Sequence, residues 1–363
     1  MFLVNKNILL ISPEPWDHIF VSKHHYAIHL ARRDNKVFFL NPPSDHLSIK
    51  STAYDSLYSV SYTGFVKGLR FLPQFLQRAI IKSKVRTLEK LCNTSFNVVW
   101  SFDNSVFFDF RAFESSTFCI SHIVDLNQDF QTAVASSTAD VCFGVINRIV
   151  QRHLAFNPRS YLVRHATPSF PGEISSMSLP GKNSLKALYS GNLYMPHINW
   201  PLLMEAFSEH SDVDFIFLGS NRRLIAEKYL KKLVDESNVF FCDAVPAEEV
   251  AHYLAAADIL LLAYKPDYFN EYAYPHKMME YLASGKPVVA NYFQDLESES
   301  DLVYMATNDE HWLRQLDYVV KNLTDCSSPS KVAARSEFAR RNTYSARVAE
   351  IENIIAESLR RRG

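Results

Sequence analysis

Short apolar runs, rich in β-branched and aromatic residues, recur along this chain and alternate with stretches of helical spacing. In the first half they fall at Asn7–Ser12, Lys36–Leu40, Asn97–Ser101, Phe118–Val124, Val141–Val145 and Ser160–Arg164. In the second half they fall at Leu185–Ser190, Val213–Leu218, Val239–Cys242, Asp258–Ala263, Pro287–Asn291 and Leu302–Met305. Runs that are apolar throughout, such as Ile259–Ala263, suit strands covered on both faces, as parallel strands flanked by helices are. Repeated βα units therefore predict an α/β chain with a Rossmann-like, doubly wound parallel sheet in each half.

At 363 residues the chain is too long for one ordinary core and fits two domains of about 150–180 residues. Thr167–Ser184 is rich in Pro, Ser and Gly and lacks an apolar period, so it reads as a linker. The expected division is 1–168, a linker at 169–184, and 185–343. A last helix, 344–361, places Val348, Ile351, Ile355 and Leu359 on one face. The net charge of −1 argues against a nucleic-acid partner, whose phosphates demand cations. Five cysteines (Cys92, Cys119, Cys142, Cys242, Cys326) show no paired spacing and read as reduced thiols rather than a zinc site or disulfide framework. Met1–Leu10 lacks the pattern of a signal peptide, and no apolar run approaches the ~20 residues of a spanning helix. A cytoplasmic protein, soluble or peripheral on the membrane, is expected.

The segment Tyr264–Asn291 is the most informative. A strand ends near Ala263, Pro275 stands where a first-turn proline opens a helix, and Gly285 stands where one closes. Lys277, Glu280 and Ser284 share one face of that helix, while Met278, Met279, Leu282 and Ala283 point to a core. A helix N-terminus at the C-terminal edge of a parallel sheet attracts anions. Lys277 adds a point charge for a phosphate, and Glu280 can accept hydrogen bonds from a ribose diol. An ordinary amphipathic helix with a surface Lys–Glu pair is the competing explanation.

Pro275 through Val289 (PHKMMEYLASGKPVV) resembles the donor-site signature of GT-B glycosyltransferases of the family-4-like, or group 1, kind. Leu188–Asn192 resembles that family's first strand and glycine loop, and Phe215–Ser220 its second strand and turn. Asn238–Val245 with Leu254–Leu262 is similar to the elements that enclose the base. The resemblance implies two Rossmann-like domains facing across a cleft, the second binding a nucleotide-diphosphate sugar, and a closing helix that packs back on the first. It implies donor-site roles for Gly191, Asn192, Tyr274, Pro275, His276, Lys277 and Glu280, and for His165 in the turn between domains. Arg222, Arg223 and Lys265 are candidate phosphate cations, because the family's Arg and Lys after the glycine loop are missing here, where Asn192 and His197 stand. Tyr272 stands where the family has the earlier of two glutamates, with Glu271 one place away.

In the first half, Asp125 directly follows a strand, where relatives place a catalytic His or Asp. A carboxylate there can deprotonate an acceptor hydroxyl or simply cap the next helix. Trp16, Lys23, His24 and His25 are expected in the loop Ser12–Tyr26, near an acceptor. Asp212-Val213-Asp214 spells a metal-binding DxD, but its place before a strand argues against that use. Gly64–Lys90 carries seven cations and one acid among interleaved apolar residues, an amphipathic pattern suited to an anionic membrane surface.

These readings converge on a metal-independent glycosyltransferase. It would use a nucleotide-diphosphate sugar, with UDP the expected nucleotide, and a saccharide or lipid-linked saccharide acceptor, in surface polysaccharide synthesis on the inner face of the plasma membrane. No further cofactor is expected. A sugar-nucleotide 2-epimerase and a non-catalytic membrane-docked subunit share the architecture and remain alternatives.

Overall fold

The computed structural model describes residues 2–18, 20–126, 130–167, 177–219, 233, 236–265 and 276–360. Two compact units divide the chain. The first comprises Met1–His165 with Tyr344–Gly363, and the second comprises Ala166–Thr343.

The first unit is built on an eight-stranded sheet in the order β3-β4-β2-β1-β5-β6-β7-β8. Its strands are β1 (Asn7–Ile11), β2 (Lys36–Leu40), β3 (Ser48–Ser51), β4 (Leu57–Ser61), β5 (Val98–Ser101), β6 (Phe118–Ile123), β7 (Val141–Gly144) and β8 (Ser160–Leu162). All pairings are parallel except β3 with β4. The expected runs in this half are all strands, shorter at some ends. β3 and β4 are additional. β3 (SIKS) is half-buried to exposed and has no apolar run to betray it, and β4 (LYSVS) buries only Leu57 and Val60.

Register aligns the strand ends. Ile11 pairs with both Leu40 and Ser101, and Ser101 with Ser121, so the segments after β1, β2, β5 and β6 emerge along one edge. The strand order reverses at β1, which places the switch point, where open α/β sheets bind ligands, beside the loops after β1 and β5. Lys23, His24 and His25 do not lie in a loop. They belong to the helix Ser22–Ala31, which the buried spacing of Tyr26, Ala27, Leu30 and Ala31 seats on the sheet.

The C-terminal helix Tyr344–Arg360 belongs to this unit. Val348, Ile351 and Ile355 are fully buried, Glu352 accepts a hydrogen bond from the Leu3 amide at 2.9 Å and pairs with Arg33, and Tyr344 stacks on His25.

The second unit holds a six-stranded, all-parallel sheet in the order β11-β10-β9-β12-β13-β14. Its strands are β9 (Leu185–Ser190), β10 (Val213–Leu218), β11 (Val239–Cys242), β12 (Ile259–Leu262), β13 (Val288–Asn291) and β14 (Tyr304–Ala306). Every residue of β10, β12 and β13 is buried, and apart from Asp214 and Asn291 all are apolar. Each buried Leu, Ile or Phe there contributes about 1.5–3 kcal/mol relative to exposure. Strand order reverses between β9 and β12, so this sheet too has a switch point. Asp214 lies within β10, almost wholly buried, and its carboxylate takes Lys186 Nζ at 2.5 Å and the Asn183 amide at 2.9 Å. That engagement gives the second acid of the DxD a structural task.

Candidate donor and acceptor sites

The helix after β12 is described from Lys277 to Ser284, with His276 as its N-cap residue. Met278, Met279, Tyr281 and Leu282 are buried, while Lys277, Glu280 and Ser284 share a half-buried face. Tyr281, which the helical spacing alone did not single out, reaches across to the end of β9. Its hydroxyl accepts a hydrogen bond from the Ser190 amide at 2.8 Å.

Lys277 completes the attachment. Its ammonium donates to Tyr189 Oη at 2.9 Å, stands 4.1 Å from the centre of the Tyr189 ring, and lies 5.8 Å from that of Tyr264. The hydroxyls of Tyr189 and Tyr264 are 3.5 Å apart. Gly191 follows at once with φ of 138°, and a Cβ added there would lie 2.4 Å from the Lys277 Nζ. A Cβ on Gly219, at the end of β10, would lie 1.6 Å from the Gly191 carbonyl oxygen. Two glycines thus let the backbone turn close beneath the ammonium, which no other residue pair permits. A cation and a helix N-terminus meet a bare backbone turn at the switch point of a parallel sheet, an arrangement suited to a diphosphate.

Glu280 sits one turn along. Burial pushes its carboxyl up to about 7, with Lys277 pulling the other way. It is therefore partly protonated near neutrality and can either donate to or accept from a polar ligand.

The remaining candidates are distributed as follows. Asn192 accepts from the Tyr194 amide at 3.0 Å and so shapes the glycine turn. Lys265 spends its ammonium on the Pro196 carbonyl at 2.8 Å, and its amide donates to the His197 carbonyl at 2.8 Å, which fastens the segment after the turn. Arg222, Tyr274 and Pro275 lie outside the described residues, as do Arg223, Glu271 and Tyr272.

The first unit gathers charge at its own switch point. Lys23 is 2 % exposed and pairs with Glu14, which follows β1, at 2.8 Å. Asp103, just after β5, is nearly as buried. It accepts from the Ser105 amide at 2.7 Å, and burial raises its carboxyl above the usual range. Asp125, after β6, keeps access to solvent, yet surrounding protein desolvates it enough to raise its carboxyl. Lys23 opposes that rise and Glu14 adds to it. Asp103 and Glu14 were not singled out in the sequence. The rule that selected Asp125, an acid directly past a parallel strand, selects Asp103 equally well.

His24 is structural. Its Nδ1 accepts from the Val21 amide at 3.2 Å, its Nε2 meets the Pro15 carbonyl at 3.0 Å, and its ring packs between Phe20 and Phe39. Trp16 packs against the same rings. His165, the last residue of the first unit before the second begins, is held neutral. Burial lowers its ring to about 3, helped by Lys23, His122 and Arg347.

Among the described residues no group of three His, Cys, Asp or Glu side chains is placed to hold a metal ion, and no helix is long and apolar enough to cross a membrane.

Comparison with known proteins agrees with this geometry. Residues 184–322 match the family model Glycosyl transferases group 1. A Bacillus subtilis (strain 168) protein, provisionally named as the teichuronic acid biosynthesis glycosyltransferase TuaH, is 26% identical over 134 residues. That match covers 37% of this chain and 33% of TuaH, so the chain matches a third of the length of that curated relative. Sucrose-phosphate synthase from Thermosynechococcus elongatus superimposes with a TM-score of 0.71 at 12% identity, over 97% of this chain and 98% of the other. The E. coli trehalose-6-phosphate structure bound with UDP-2-fluoro glucose gives a TM-score of 0.69 at 9% identity, over 96% and 99% of the two chains. At such identities the likeness is one of fold. The chain thus has the two-sheet GT-B fold of solved glycosyltransferases, and the stretch similar to the Glycosyl transferases group 1 lies within its second unit.

Proposed function

We propose that this chain transfers a glycosyl group from a nucleoside-diphosphate sugar to a saccharide or lipid-linked saccharide acceptor during synthesis of a surface polysaccharide. The observation that carries the reading is the Lys277 ammonium held over the Gly191 turn at the start of a helix. When the acceptor oxygen bonds to the anomeric carbon, the bond from that carbon to the diphosphate oxygen breaks. The leaving diphosphate then gains negative charge. Lys277 and the helix N-terminus supply the compensating field, so the reaction needs no metal. Glu280 takes hydroxyls of the nucleoside. Asp125 receives the proton of the acceptor hydroxyl, and the burial that raises its carboxyl makes it a stronger base than an ordinary aspartate.

The teichuronic acid relative supports the polysaccharide setting, and the fold shared with a UDP-2-fluoro glucose complex supports UDP as the nucleotide. Synthesis on lipid-linked intermediates would bring the chain to the inner face of the plasma membrane as a peripheral protein.

A calorimetric panel of UDP, GDP, CMP and dTDP with their common sugars tests the donor. One diphosphate is expected to bind wild type well and Lys277→Ala poorly. Failure of every member to bind would leave a non-catalytic subunit as the better account. Turnover of the sugar nucleotide to an epimer without acceptor would make the chain an isomerase.

A further inference from the structure

The stretch Gly64–Lys90 reads in sequence as one amphipathic surface, but the structure splits it in two. Pro73 precedes a helix, Gln74–Cys92, whose apolar residues Ile81, Val85 and Leu88 are buried in the first unit's core, together with Leu69 from the preceding turn. That helix therefore spends its apolar face on its own sheet. Several of its cations are also engaged. Arg78 pairs with Asp109 at 3.0 Å, Lys84 donates to Thr63 Oγ1 at 3.0 Å, and Lys82 lies 3.9 Å from Glu114.

Apolar surface is instead exposed at the turn before the helix and in its first residues. Val66 is 60% exposed, Phe71 78%, Phe75 68% and Leu76 39%. They are four of the ten large apolar side chains exposed among the described residues, drawn from one short segment. Their exposure is built in. Leu69 anchors the turn from beneath, the Phe71 amide donates to the Gly68 carbonyl at 2.9 Å, and the buried Gln77 amide bonds the carbonyls of Leu72 at 2.7 Å and Arg70 at 3.2 Å. Lys67 and Arg70 are exposed beside them, with the Arg70 guanidinium 4.8 Å from the centre of the Phe71 ring. No acidic residue occurs from Gly64 to Leu88.

We infer that residues 66–76 form a docking tip for an anionic lipid bilayer. Val66, Phe71, Phe75 and Leu76 enter the boundary between headgroups and acyl chains, while Lys67 and Arg70 meet the headgroup phosphates. The charge pattern selects this occupant. Exposed aromatic and aliphatic side chains flanked by Lys67 and Arg70, with no acid among them, complement a surface that is apolar within and negative at its rim. The inference rests on the membrane setting proposed above and gives it a location distinct from the helix face.

The test is co-sedimentation of the full chain with vesicles of phosphatidylcholine alone or mixed with phosphatidylglycerol, at low and high salt. Wild type is expected to sediment with the anionic vesicles only. Phe71→Ser/Phe75→Ser should bind roughly tenfold or more weakly at every salt concentration, since each loses an apolar anchor. Lys67→Gln/Arg70→Gln should be weak at low salt and approach wild type at high salt, where charge is screened. Circular dichroism and thermal melting equal to wild type certify the folding of both variants. A wild type that stays in solution with anionic vesicles at low salt overturns the inference, as does a Phe71→Ser/Phe75→Ser variant that sediments normally. Self-association of wild type that the same variant abolishes, without vesicle binding, would assign the tip to a second copy instead. A chain that docks on vesicles yet binds no diphosphate would retain this surface and lose the proposed reaction.

Discussion

The two units solve the same topological problem and equip the result differently. Both sheets are parallel around a reversal of strand order, and both bring loops to one edge there. In the second unit, among the described residues, Tyr189, Tyr264, Tyr281 and two glycines frame the Lys277 ammonium at that edge. In the first unit the edge carries Lys23 with Glu14, Asp103 and Asp125, an excess of carboxylate. A cationic turn suits a diphosphate, which stays chemically similar from one donor to another. A carboxylate-rich edge suits hydroxyl groups and proton removal, which must be fitted to each acceptor. The match to the family model falls within the second unit, at residues 184–322.

Substitution on each side should separate the two roles, and the largest effect is expected at the carboxylates. Asp125→Asn should lower kcat by about 10²–10⁴-fold, the usual contribution of a general base, with diphosphate affinity unchanged. Lys277→Ala should do the reverse in binding, weakening diphosphate affinity by about 2–3 kcal/mol through loss of a charge-assisted contact. Calorimetry beside a turnover assay reads both. An active Asp125→Asn enzyme would break the comparison and turn attention to Asp103.

A smaller change should appear in Tyr189→Phe, which keeps the ring beneath the ammonium and removes only its hydrogen-bond acceptor. Diphosphate binding should weaken by about 1 kcal/mol, the net worth of one such bond, while melting of the protein moves little. Affinity equal to wild type would mean that the ring alone holds Lys277.

The remaining effect is on stability rather than binding and concerns Glu280. Its folded carboxyl, near 7, lies above the ordinary 4.5, so the folded state favours the protonated form. The stabilisation is complete below the ordinary value and is lost as pH rises through 7. The urea midpoint should therefore fall between pH 5 and pH 8 by the equivalent of about 1–2 kcal/mol, a figure reduced for the partial exposure of the side chain. Glu280→Gln should flatten this decline, and a decline that persists in that variant would assign it to other groups.

Much of this arrangement was legible beforehand for an identifiable reason. A buried parallel strand must be apolar on both faces, so β10, β12 and β13 announce themselves, and β9 to β11 match their predicted limits. Lys277 and Glu280 were visible because a helix places residues three apart on one face. β3 and β4 escaped because strands at the margin of a sheet, β3 at the edge and β4 beside it, keep solvent-facing residues and need few apolar ones. The loop assigned to Lys23, His24 and His25 proved helical because its four polar or ionisable residues, Ser22 to His25, hid the apolar spacing that begins at Tyr26.

The sequence by itself determined the strand periodicity, the two-sheet architecture and the helix that presents Lys277, because these depend on patterns a few residues long. Tertiary structure alone decided which side chains meet. Tyr189 and Lys277, or Lys23 and Asp103, come from separate βα units and are gathered only when strand order folds their ends to one edge. It also decided that the apolar face of Gln74–Cys92 turns inward while Phe71 and Phe75 turn outward. Helical spacing defines a face, but only the sheet packed beneath the helix determines which face is buried.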